Sequence, residues 1–237
     1  VDFDGGGIGV DAADTERLAF SYARVTDFTG FGLDAVNTEI AEVTNSVFSN
    51  NGAATDNSIR FRADTVGDSA LFAVKNTITD STAGAIALST IGSGADSSLT
   101  FQARENVIST SQVGAAALRV AWNGAIVGSV VSNTFTGTGA SSTGVDITTT
   151  STSKLVEFAL AQNTFAFAGG NSVGIRAATS GPATITAGQN TMAFDGTGGT
   201  GVDFLLAGSA NVNVYNNTVT DNAGGGTGIL FTSIAGP

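Results

Sequence analysis

The sequence predicts an all-β chain wound as a parallel β-helix solenoid of about eight to nine coils, each of three short strands, and three observations carry that expectation. An Asn is followed two residues later by an apolar residue seven times, at Asn45, Asn76, Asn106, Asn133, Asn163, Asn190 and Asn217, with spacings of 31, 30, 27, 30, 27 and 27 residues. A small residue followed by apolar-x-apolar recurs on the same period, from Gly7-Ile8-Gly9-Val10 through Gly32, Ser58, Ala85, Ala117, Gly144, Gly174 and Gly201 to Gly228-Ile229-Leu230-Phe231. Apolar pairs such as Phe101/Ala103, Phe158/Leu160 and Val212/Val214 precede the Asn. Each period thus holds three segments that alternate inward and outward, which is strand periodicity. Gly is 32 of 237 residues, Thr and Val are abundant, and no long stretch keeps a 3.6-residue period, so a helical reading fails.

The Asn-containing corner comes first. Asn and the apolar residue two later share a strand face, so an inward Val47, Ile78, Ile108, Phe135, Phe165, Met192 or Val219 implies an inward Asn. A buried amide needs partners, and coils stacked about 4.8 Å apart supply them as an Asn ladder. The expected ladder is Asn45, Asn76, Asn106, Asn133, Asn163, Asn190 and Asn217.

The small-apolar-x-apolar strand follows. Its outward position reads Asp34, Arg60, Ala87, Arg119, Asp146, Arg176 and Asp203, so opposite charges mostly lie one rung apart, a charge ladder that fixes register. Its inward Phe61, Phe204 and Phe231, with Phe101 and Phe158 of the third strand, form core, and the single Trp122 caps that core near a turn. Beside the Asn, an outward file of Ser46, Thr77, Thr134, Thr164, Thr191 and Thr218 is broken by Val107. A second file holding Thr79, Thr136 and Thr220 is broken by Phe48, Ala166 and Ala193.

The repeat runs through residues 1–237 without a linker, so one solenoid is expected, and a start at Val1 suggests a segment of a larger chain or a filament subunit. No leader and no membrane-spanning run of 18 apolar residues is evident. Cys and His are both absent, which removes thiolate chemistry, the commonest metal ligand and the commonest general base. A net charge of −11 with 9 dispersed Lys and Arg argues against nucleic acid. The best of the acid groups are Asp2, Asp4, Asp64, Asp68 and Asp96, weak calcium candidates because Asp2 and Asp4 flank Phe3 on one face and offer oxygen ligands. No other cofactor is indicated.

Corner Asn, Gly-apolar-x-apolar strands and stacked interior aromatics, over about Gly7 to Phe231, resemble the right-handed parallel β-helix superfamily of pectate lyases, tailspikes and autotransporter adhesins. Right-handedness rests on that resemblance and on the preference of parallel crossovers. The resemblance implies fold but leaves activity open. Pectate-lyase-like catalysis pairs a carboxylate cluster with an Arg or Lys base and a local Pro, yet Pro182 and Pro237 lie near no such cluster. Polygalacturonase-like hydrolysis groups aspartates with a His that this chain lacks.

Loop lengths add that the longest excess is about five residues, around Ser89 to Ser98, too little for the walls of a substrate cleft. The expected function is an extracellular structural or adhesive element without catalytic residues: a stalk, fibre or surface filament on a bacterial cell. Its ends would associate with other copies or continue into further repeats. The alternative is a carbohydrate-binding or carbohydrate-cleaving β-helix, and a minor one is ice binding through the Thr face, which resembles the regular faces of β-helical ice-binding proteins. Asn216-Asn217-Thr218 is a glycosylation acceptor pattern.

Overall fold

A computed structural model describes residues 1–52, 58–63, 67–79 and 97–233, and the backbone alone of 86–92. The described residues form 26 strands and no helix. Every third strand falls in the same sheet, giving three parallel sheets of nine, nine and eight strands. The chain is a parallel β-solenoid. We call sheet A the one that starts with Asp2–Gly6, sheet B the one that starts with Val10–Ala13, and sheet C the one that starts with Arg17–Ser21.

Side chains alternate about each strand, and inward residues stack in columns one rung apart. In sheet A, Phe135, Phe165 and Met192 lie directly above one another. In sheet B, Val145, Ile175 and Val202 do the same, and all six side chains are fully buried. Burial of each such group stabilises by about 1.5–3 kcal/mol, so several per coil offset the entropy of ordering a coil. Trp122 ends the strand Ala116–Trp122, pairs in register with Thr149, and is 2% exposed.

Bulk is traded between neighbouring coils. Gly128 stands in the inward column of sheet C between Phe101 and Phe158, and a Cβ there would overlap the Phe158 ring. Gly144, at the head of a sheet B strand, leaves the space that the Phe165 ring of the following coil fills. Gly174 and Gly201 likewise make room for Met192 and Val219, the apolar residues that follow the corner Asn in the next coil, whereas Gly32 lies against Asn51.

The register corrects three expectations. Thr77 and Ile78 pair with Val47 and Phe48, so Ser46, not Asn45, is the counterpart of Asn76. A one-residue slip reverses every side chain of a strand. Accordingly Phe48 is fully buried, Val47 is 39% exposed, and Asn45 sits exposed outside the column. The same shift puts Val47 and Ser49 on the outer face of sheet A in place of Ser46 and Phe48. In sheet B the rung between Arg60 and Arg119 is Ser89, not Ala87. At the start of that sheet Val10 and Asp11 pair with Leu33 and Asp34, two residues along from the expected Gly7-Ile8-Gly9-Val10 alignment. These two shifts by two residues preserve the faces, so they escape an inside-outside pattern.

Candidate functional site

The dominant constellation of polar groups is a buried column at the corner entering sheet A. The residue before each column position takes the left-handed conformation, with φ between 50° and 58° at Tyr22, Asn45, Lys75, Glu105, Ser132, Gln162, Gln189 and Asn216. The N–H of the next residue is then met by a side chain of the following coil. Asn106 N–H donates to Asn133 Oδ1 at 2.9 Å, Asn133 to Asn163 at 3.0 Å, Asn163 to Asn190 at 3.0 Å and Asn190 to Asn217 at 3.0 Å. Each Nδ2 donates both forward to the same Oδ1 and back to a carbonyl, as Asn106 does to Asn133 Oδ1 at 2.9 Å and to the Ala73 carbonyl at 2.7 Å. Every such amide ties three successive coils together.

Asn76 starts this column, donating to Asn106 Oδ1 from its N–H at 2.9 Å and from Nδ2 at 3.1 Å. Below it Ser46 substitutes. Its N–H donates to Asn76 Oδ1 at 3.1 Å, and its Oγ accepts the Ala23 N–H at 3.2 Å. The Ser46 hydroxyl donates to the Thr44 carbonyl at 2.9 Å, so its hydrogen is spent within its own coil. Sequence reasoning missed Ser46 because Asn suits both roles at this corner: left-handed residue at Asn45, inward amide at Asn76. Asn216-Asn217 holds both roles in succession. Asn51, also missed, is fully buried and holds the first coils, accepting the Phe28 N–H at 3.2 Å and donating to the Val25 carbonyl at 2.8 Å. The Asn50-Asn51-Gly52 turn signature is the cue that could have found it.

On the outer face of sheet B, Arg60 grips Asp34 with Nε–Oδ1 at 2.8 Å and Nη2–Oδ2 at 2.5 Å while lying 3.7 Å over the Phe31 ring. Arg119 reaches Asp146 at 3.0 Å and Arg176 reaches Asp203 at 3.4 Å. On sheet C, Arg17 donates to Glu42 at 2.8 Å; that hydrogen bond and the Glu42 charge hold the guanidinium above its ordinary pKa.

The sheet A face differs from both. From the strand Val47–Ser49 to Thr218–Asp221, its first two outward files read Val47, Thr77, Val107, Thr134, Thr164, Thr191, Thr218 and Ser49, Thr79, Ser109, Thr136, Ala166, Ala193, Thr220, with no charged residue among them. Five Thr in the first file and three in the second make the array incomplete.

The calcium candidates do not converge. Asp2 and Asp4 are exposed on the first strand of sheet A, where Asp4 Oδ1 accepts the Thr26 hydroxyl at 3.4 Å. Asp68 begins a strand of sheet C and accepts the Ser98 hydroxyl at 2.5 Å. Asp64 and Asp96 lie outside the described residues. Among the described residues no three carboxylates group as a metal site would require. Asp68 does line a shallow depression of about 330 Å³ with Asn37, Thr38, Glu39 and Ser69. It continues over Ile40, Ala70, Ser98 and Thr100 on the sheet C face as a second hollow of about 300 Å³. This lining offers hydrogen-bond donors and acceptors and two carboxylates.

The geometry defines a solenoid whose polar groups serve mainly to bind coil to coil. No family model matches the chain, and no curated protein sequence matches it. Among solved structures it is similar to that of PfbA, a surface adhesin of Streptococcus pneumoniae, with a TM-score of 0.55 at 13% identity over 91% of this chain. This chain spans 64% of the adhesin chain. At that identity the likeness speaks for the fold. No helix among the described residues is long and apolar enough to cross a membrane.

Proposed function

We propose that the chain is an extracellular structural or adhesive β-helix that forms part of a stalk, fibre or surface filament on a bacterial cell. The observation that carries this reading is the unbroken stacking of three parallel sheets of nine, nine and eight strands, an architecture shared with a bacterial surface adhesin. A solenoid of this kind transmits load along its axis through successive coil interfaces and presents long, regular faces for contact. Either end meets a further coil, from more repeats or from another copy. Immunogold labelling of intact source cells with antibody raised to the purified protein should decorate the surface. Label confined to the cell interior would overturn the reading.

A second reading, binding or cleavage of a carbohydrate, draws on the polar hollow around Glu39, Asp68, Ser69 and Ser98. Incubation with uronate-rich polysaccharides, with and without calcium, tests it. We expect no shortening of the glycan, and calcium-dependent shortening would replace the structural reading with an enzymatic one.

A further inference from the structure

The Asn column satisfies its amides from coil to coil, whereas a second interior column holds polar groups that the protein leaves without a partner. It lies where strands of sheet B end and the chain turns towards sheet C. The last inward position of three successive strands there reads Trp122, Thr149 and Thr179, stacked in register and 2%, 3% and 3% exposed. Trp122 Nε1, Thr149 Oγ1 and Thr179 Oγ1 are fully buried, and none of them meets a hydrogen-bond partner within the protein. Orphaned buried donors and acceptors destabilise a fold and are rare in native interiors. Three in one column is a heavy penalty at a position that also has an apolar solution, since one coil further on it is Leu206.

The geometry of the column fits water. Stacked coils lie about 4.8 Å apart, beyond a direct hydrogen bond of about 2.7–3.2 Å yet within the span of one water bonded to both rungs. At the same corner of the first two coils, Thr15 and Thr38 close the gap by turning their hydroxyls together at 3.0 Å, which Trp122, Thr149 and Thr179 do not. Room opens along the column. The indole gives way to two Thr side chains, and the first inward residue of the sheet C strand that follows shrinks in step from Ile126 to Val156 to Ala183, all buried. An indole N–H only donates, while each hydroxyl donates once and also accepts. A water that accepts from Trp122 Nε1–H can donate to Thr149 Oγ1, and a second that accepts from the Thr149 hydroxyl can donate to Thr179 Oγ1. Every orphaned atom is then paired, and each water has the two protein partners that a buried water needs.

We propose that this corner binds a file of buried waters, one between each pair of successive rungs from Trp122 to Thr179, and that the file is part of the fold. Trp122 reports on it, because it is the single Trp of the chain. A buried indole whose N–H is bonded to water emits at longer wavelength than one held in a dry apolar site. The folded protein should therefore emit to the red of the limit set by indole in an alkane solvent. Thr149→Val should move the emission towards that limit, and Thr148→Val, the outward neighbour on the same strand, should leave it in place. Stability separates the two cases by sign. Removing a water-bonded hydroxyl is a loss, so Thr149→Val, measured against Thr148→Val, should raise the equilibrium constant of denaturant unfolding about fivefold. Removing an orphaned hydroxyl is a relief, and the constant would fall. Emission of the unaltered protein at the apolar limit, or a Thr149→Val variant more stable than its control, would overturn the file. So would a high-resolution crystal structure without density between Trp122 Nε1 and Thr149 Oγ1.

Discussion

The coils from Asn106 to Asp221 and the first coils of the chain solve the same corner by different means. In the former, sheet B strands span Ala116–Trp122, Thr143–Thr149, Val173–Thr179 and Thr200–Leu206, and one continuous amide column runs through the corner. In the latter, sheet B strands shrink to Val10–Ala13 and Leu33–Val36, and the column gives way to Ser46 and Ala23. Compensation comes from buried Asn51; the exposed corner pairs, Asn37 to Asp14 at 3.0 Å and Asn50 to Asp27 at 3.1 Å, have a counterpart in the regular coils in Asn222 to Asp195 at 2.7 Å. An amide accepts from the rung before it and donates both back to that rung and forward to the next, whereas a serine hydroxyl has a single hydrogen to give. Repetition of Asn therefore lets the regular coils share one mechanism, and its absence forces local substitutes.

The sharpest way to break the contrast is Asn163→Leu. It removes the acceptor used by Asn133 N–H and Nδ2 and the Nδ2 that donates to the Val130 carbonyl, all in a dry interior. Unpaired buried groups cost about 1–3 kcal/mol each, so denaturant unfolding should show a loss of about 3 kcal/mol or more. A midpoint equal to wild type would refute the column as a source of stability. Next in size is Gly128→Ala, where the new methyl meets the Phe158 ring; thermal unfolding should report a cost of about 1–3 kcal/mol. If Phe158→Leu in the same chain did not relieve that cost, the traded-bulk account would fail.

Smaller effects separate the charge pairs. Arg60→Ala strands the buried Asp34 and should cost about 1–3 kcal/mol, while Arg176→Ala at the more exposed, 3.4 Å pair should cost about 0.5 kcal/mol or less and vanish in high salt. Equal costs would mean that burial does not rank these pairs. Finally, Ser46→Asn carries the amide column one coil further towards the N-terminus. It should add about 1 kcal/mol and slow hydrogen exchange of the Ala23 N–H. Faster exchange there would show that the first coils cannot accept the regular corner.

Much of this is legible in the chain. Six of the seven recurring Asn belong to the column, and Asp34, Arg60, Arg119, Asp146, Arg176 and Asp203 do share one file of sheet B. Asn45 misleads because an exposed left-handed corner and a buried amide corner favour the same residue type one position apart. The hollow around Glu39 and Asp68 leaves no trace in any motif, since it joins residues of different coils that have no common spacing.

Period and alternation are local properties of the chain. Thus about 27 residues per coil, three segments per period and the apolar faces follow from the residues themselves. Which coil position sits on which does not. Ser46 or Asn45 inward, Ser89 or Ala87 between the arginines, and Asp11 or Gly9 beside Asp34 are decided only when strands pair. Register minimises the energy of the whole stack: a slip of one residue would expose Phe48, and a slip of two would misalign the columns of every neighbouring coil.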